Sequence, residues 1–193
     1  MRNLEGDRAA LKPMAEAGLQ KTIVAFKKAT SEDWDGDKVS VEAFAGGLGL
    51  GEKEAMYAVH MGWPGASALM LMPLKSAISV GGAFLKRNRP AGTPVESEFG
   101  DHVLAELANV VVHGAANYWA DACDVGVLLS QPQPLYGTSD EIEQSARERV
   151  LRGTTGFAAT IIMSLSCKKL KANCVLKFFL VPAFAFRLAR AKP

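Results

Sequence analysis

Leu69-Met70-Leu71-Met72-Pro73-Leu74 returns later in the chain as Phe178-Phe179-Leu180-Val181-Pro182-Ala183. Both are apolar runs stopped by a proline, and proline has no N–H to give a sheet ladder, so each reads as a strand with an abrupt end. Upstream of each stands a partner run across a turn. Residues 55–61 face 66–72 across Gly62-Trp63-Pro64-Gly65, and residues 157–165 face 175–181 across the basic turn Lys168-Lys169-Leu170-Lys171. Both arrangements predict hairpins.

Working outward, the same series precedes and follows each hairpin. In the first half, residues 14–28 place Leu19, Ile23 and Phe26 at helical spacing after Pro13, which suits a first turn. Val39, Val41 and Ala43 then alternate with polar neighbours as a half-buried strand would, and residues 75–86 follow the hairpin as a helix. Residues 88–94 make a stiff connector. In the second half a long helix over 98–120 leads to an expected strand at 125–130, ended by residues 131–137, and a helical pattern resumes from Ala183. Repetition of this kind predicts an internally duplicated α/β domain of the α+β type, spanning 1–193 with pseudo-repeats at about 13–88 and 96–191. About six strands form its sheet, with two long helices packed on it. Residues 138–152, dense in charges of both signs, are expected as a solvated insertion with a helical turn or two around 141–150. The glycine-rich run Gly46 to Gly51 lacks the Lys-Ser/Thr pair of a P-loop and the spacing of a dinucleotide fingerprint, so it reads as a turn between strands.

Composition narrows the class. With 22 basic and 20 acidic residues the charge is too balanced to favour a nucleic-acid surface. The longest apolar run, residues 174–186, is broken by Lys177 and Pro182 and falls short of the roughly 20 residues that span a bilayer, so no membrane partner and a cytoplasmic location are expected. Three cysteines, Cys123, Cys167 and Cys174, have no zinc-ligand spacing and read as reduced thiols.

The chemistry collects on the central helix. His102, Glu106, Asn109, His113 and Asn117 follow steps of four, three, four and four and so form one polar stripe, leaving Val103, Leu107, Val110, Val111, Ala115 and Tyr118 for the core. Periodicity alone makes this a solvent-facing surface. Its composition says more, because the stripe is flanked not by Lys, Glu and Arg but by Ala105, Ala108 and Gly114, small residues that would let another protein approach.

Glu106-Leu107-Ala108-Asn109, then Gly114, Pro132 and Tyr136-Gly137, on a duplicated order of elements with Pro-capped strands, resembles the chemotaxis phosphatases CheC and CheX. The resemblance covers nearly the whole chain. It implies removal of the phosphoryl group from the aspartate of a CheY-like response regulator, with Asn109 positioning the attacking water and Glu106 pairing with the regulator's lysine. An aspartyl phosphate is already a reactive anhydride, so orienting water suffices, and a neutral amide does so without titrating. It implies no cofactor of the chain's own, since magnesium would arrive on the regulator. His102, His113 and Pro132 are carried as partner-docking residues. His102 stands where the family often has Asp or Ser, and the first helix offers Glu16 but Leu19 in place of the asparagine. A single motif per chain is closer to CheX, which implies a homodimer.

Two other readings differ in class. One is a non-catalytic adaptor that docks a receiver domain or a flagellar or chemotaxis component; the other is a metal site at His102, Glu106 and His113. His60, in an expected strand, is assigned to structure.

Overall fold

Among the described residues six strands form one sheet: β1 (Asp35–Ala43), β2 (Ala55–Trp63), β3 (Ala66–Pro73), β4 (Gln133–Thr138), β5 (Ala159–Cys167) and β6 (Ala172–Leu180). Their order is β1-β5-β6-β3-β2-β4, and every neighbouring pair is antiparallel. The computed structural model describes residues 4–44, 55–88, 101–138, 140–142, 144–146 and 157–193. Read from either edge, the order is the same once β1, β2 and β3 are exchanged for β4, β5 and β6. Such symmetry is what a duplicated helix-strand-hairpin unit produces. Each half lends its first strand to the other half's hairpin, β1 to β5 and β4 to β2, so neither half can complete its share of the sheet alone.

Four helices, α1 (Leu4–Thr30), α2 (Leu74–Asn88), α3 (Asp101–Ala122) and α4 (Pro182–Leu188), contribute to the main core on one face of the sheet. Strand alternation supplies the other side of that core: Cys174, Leu176, Phe178 and Leu180 of β6 join Ile161 and Met163 of β5, Met70 and Met72 of β3, and Tyr57, Val59 and Met61 of β2. Alternate residues point the other way. Met56, Ala58, Leu69, Leu71, Leu135 and Phe179 form a second cluster on the opposite face. Pro73 ends β3 and Pro182 begins α4, so both prolines of the repeated phrase stand where a strand passes into a helix.

Three expectations are corrected. Helix α1 begins at Leu4 and runs through Pro13 instead of starting there. The proline withholds an N–H from the carbonyl of Ala9, but both residues lie on the solvent side, where water can take that place. Residues 125–130 are not a strand. Val125, Val127 and Leu129 pack on the core, Leu128 is 85% exposed, and the segment is tied by Val125 N–H to Ala120 O (3.0 Å) and Ser130 N–H to Gly62 O (2.7 Å). The strand is instead the Pro-containing stretch after it, tolerated because β4 lies at the sheet edge with β2 as its one partner.

The charged insertion is the third. Residues 140–142 and 144–146 are helical, and Ile142 and Ala146 are buried in the second cluster. A capping box starts this segment: Thr138 N–H and Oγ–H donate to Glu141 Oε2 (2.8 and 3.0 Å), and Glu141 N–H donates back to Thr138 Oγ at 3.4 Å. These bonds favour the ionised carboxylate and hold Glu141 below the usual range. The run Gly46 to Gly51 and most of the 88–94 connector lie outside the described residues.

Candidate functional site

The long helix of the second half is positioned by its twin. Trp119 of α3 is fully buried, meets Phe178 edge-on with centroids 4.8 Å apart, and donates its indole N–H to Met14 O of α1 at 2.8 Å. A Cβ on Gly18 would lie 2.6 Å from the Trp119 ring, so only glycine lets the indole come so near. Further along, the Lys21 ammonium sits 5.4 Å over Tyr118, and a Cβ on Gly114 would lie 3.0 Å from Lys21 O and 3.2 Å from Ala25 Cβ. Numbers rise on α1 as they fall on α3, so the helices are antiparallel. Leu107, Ala108, Val111, Ala115 and Ala116 seat α3 in the core.

The opposite side of α3 carries the polar stripe. Glu106, His102 and Asn117 are exposed, while Asn109 and His113 are half-buried. His113 Nδ1 lies 2.8 Å from Asn109 O. A carbonyl only accepts, so Nδ1 is the donor, and in the neutral ring Nε2 is left as the acceptor. The imidazole is thereby fixed one turn beyond the amide. Helix α3 thus gathers His102, Glu106, Asn109 and His113. Pro132 stands apart, one position before the Gln133–His60 pair of the β4–β2 ladder. It therefore belongs to the edge of the sheet and not to α3.

The small residues beside the stripe have another use. Ala108 is fully buried and Gly114, though half-exposed like Ala105, meets α1 where its Cβ would sit, so the size of these two serves helix packing. Val110, expected in the core, is 40% exposed. It was assigned there because it lies off the polar stripe, but it stands next to the stripe's Asn109 and Glu106 side and stays at the surface. The equivalent pair on α1 is different in kind. Glu16 is exposed and lies 4.0 Å from Lys12, while Leu19 is buried with Cδ2 2.8 Å from where a Cβ on Gly36 would sit.

Other polar groups serve the fold. Buried His60 and Ser67 are 2.7 Å apart, Nε2 to Oγ. Cys123, Cys167 and Cys174 are free thiols; burial pushes Cys174 strongly upward and Cys123 upward against an opposing effect of Arg187, so neither offers a ready thiolate. Among the described residues no three His, Cys, Asp or Glu side chains converge to hold a metal ion, and no helix is long and apolar enough to cross a membrane.

No family model and no curated protein sequence matches the chain. Solved structures do. FliY from Thermotoga maritima superposes with a TM-score of 0.67 at 8% identity, covering 98% of this chain and 97% of that one. FliM of the Helicobacter pylori FliM–SpeE complex gives 0.62 at 9% identity, covering 96% and 95%. CheX from the Borrelia burgdorferi CheX–CheY–BeF3–Mg2+ complex gives 0.51 at 13% identity, covering 86% and 96%. With CheC-like and further CheX structures also matching, the chain has the CheC/CheX fold, which is shared by proteins of the chemotaxis system.

Proposed function

We propose that this protein hydrolyses the aspartyl phosphate of a CheY-like response regulator, with Asn109 and Glu106 as its working pair. The observation that carries the reading is their placement. Asn109 and Glu106 stand one turn apart on the solvent side of α3, and the amide is half-buried where the carboxylate is free. A half-buried amide has few rotamers and can hold a water in line with phosphorus, while an exposed carboxylate on a flexible stem can meet a lysine of the partner. Magnesium belongs to the regulator in this scheme, and the chain itself contributes orientation and charge. We also propose, from the same likeness to CheX, that the protein works as a homodimer, which analytical ultracentrifugation checks.

The test is the lifetime of a phosphorylated receiver from the same organism. Addition of the protein shortens it, and Asn109→Ala removes the effect while leaving the circular dichroism spectrum and melting temperature in place. Receivers that decay at the same rate with and without the protein would end the enzyme reading. A second reading, an adaptor that docks a receiver or flagellar component without catalysis, is favoured by the TM-scores to FliY and FliM, which exceed that to the CheX of the CheY complex. Binding of the receiver with no change in its lifetime identifies that case.

A further inference from the structure

Beyond the C-terminal end of α3, away from the polar stripe, a cavity of about 190 Å3 lies between the β2–β3 turn, the segment that follows α3, and α4. Trp63, Pro64, Val125, Val181 and Phe184 line it together with Arg187. The walls are fixed by close packing. Val181 N–H donates to Gly65 O at 3.1 Å, and a Cβ on Gly65 would lie 2.8 Å from Phe184 Cγ, so the turn rests directly on that ring. Trp63 is 8% exposed and meets Phe178 and Phe184 edge-on, with centroids 6.4 and 6.3 Å away.

Two polar groups of this lining lack partners. The other indoles of the chain both donate, Trp34 to Thr30 Oγ at 3.1 Å and Trp119 to Met14 O at 2.8 Å. Trp63 Nε1–H is enclosed and has no acceptor among the described residues, a state that buried donors seldom keep. Arg187 is exposed and pairs with no carboxylate among the described residues, whereas Arg190 lies 3.8 Å over the Phe186 ring. Burial raises the nearby Cys123 thiol and Arg187 opposes that rise, so the guanidinium field reaches the end of α3.

We infer that this cavity binds a small carboxylate carrying one aromatic ring or a branched apolar chain. Each part of that ligand is set by the residues. An indole N–H and a guanidinium only donate, so the group they take accepts hydrogen bonds, and the positive charge selects an anion. Apolar walls take the hydrocarbon. About 150 Å3 suffices for benzene and drug-sized ligands need about 300 Å3 or more, so 190 Å3 suits a single ring. Asn109 is about 20 Å away along α3, counted to its last residue Ala122, and the site does not rest on the phosphatase reading. The acid could be free or could end a peptide chain.

The test is titration of the 15N-labelled protein with phenylacetate, read at the Trp63 indole N–H resonance, which its nuclear Overhauser contacts to Phe178 and Phe184 assign. Saturable downfield movement is expected, with a Kd below about 1 mM. Phenethylamine, with the same ring and the opposite charge, is expected to give none. Arg187→Ala, at an exposed position, is expected to keep the melting temperature and weaken phenylacetate binding about ten-fold. N-acetylphenylalanine separates the two sources: tighter binding than phenylacetate identifies a chain end, weaker binding a free acid. A resonance unmoved at about 10 mM phenylacetate would overturn the site. So would equal movement with the amine, or an affinity that Arg187→Ala leaves unchanged.

Discussion

Helices α1 and α3 occupy equivalent places in a sheet whose strand order is symmetric, and they touch through small residues, Gly18 against Trp119 and Gly114 against Lys21 and Ala25. Yet Asn109 is half-buried at the solvent side, and its counterpart Leu19 is buried beside Gly36 at the start of β1. The difference lies in the neighbouring strand. Where β1 approaches α1 closely, the site of the amide is taken into the core, and an apolar residue there stabilises the fold. One scaffold thus supports chemistry on one helix and packing on the other, according to how near the edge strand comes.

Four substitutions break or sharpen that contrast. Trp119→Ala removes the side chain that joins both helices to the sheet and should cost about 3–5 kcal/mol in urea unfolding. Leu19→Asn, which writes the α3 motif onto α1, should cost about 2–4 kcal/mol, because it buries an amide without a partner, and should create no second active site. A stable, doubly active Leu19→Asn protein would show that the two helices are interchangeable after all. Gly18→Ala should cost about 1–3 kcal/mol by forcing the Trp119 ring aside. Asn109→Ala, by contrast, should change stability by no more than about 0.5 kcal/mol, which calorimetry can check alongside activity.

The halves differ on the other face of the sheet as well, where the smallest effect is expected. The capped segment from Thr138 packs Ile142 and Ala146 with Met56, Leu69 and Leu71, and from Met56 and Leu71 a cleft of about 360 Å3 runs towards Lys38, Ser40, Glu42, Ile162 and Ser164 of β1 and β5. Glu141 is held below its ordinary value, so its ionised form favours the fold. Its contribution is present above about pH 4.3 and is lost as pH falls through the lower folded value. Hydrogen exchange at the Ile142 amide should therefore quicken as pH falls through that range, relative to the intrinsic rate, and the trend should vanish in Glu141→Gln.

Much of this was readable from residue order. The paired phrases ending in Pro73 and Pro182, the two hairpins and the long helix over Glu106 and Asn109 follow from local chemistry: periodicity, turns and proline. Residues 138–152 read as a solvated insertion because of their charges, and the capping bonds between Thr138 and Glu141 and the burial of Ile142 emerged only in the fold. Other elements were not readable. Residues 125–130 have the apolar alternation of a strand and 133–138 the prolines of a loop, and their roles are reversed because only the second finds a partner, β2, at an edge that tolerates a missing N–H. No local property of a segment states who its neighbour is.

The same division holds for the site. The order of residues alone placed Glu106 and Asn109 one turn apart on a helix, since a 3.6-residue repeat needs nothing beyond the chain itself. Which of the residues bordering the stripe are covered was decided by the packing around that helix, the antiparallel contact with α1 included. That contact closed over Gly114, while Ala108 went into the core and Val110 stayed 40% exposed, because burial depends on what packs alongside and not on what stands next in the chain.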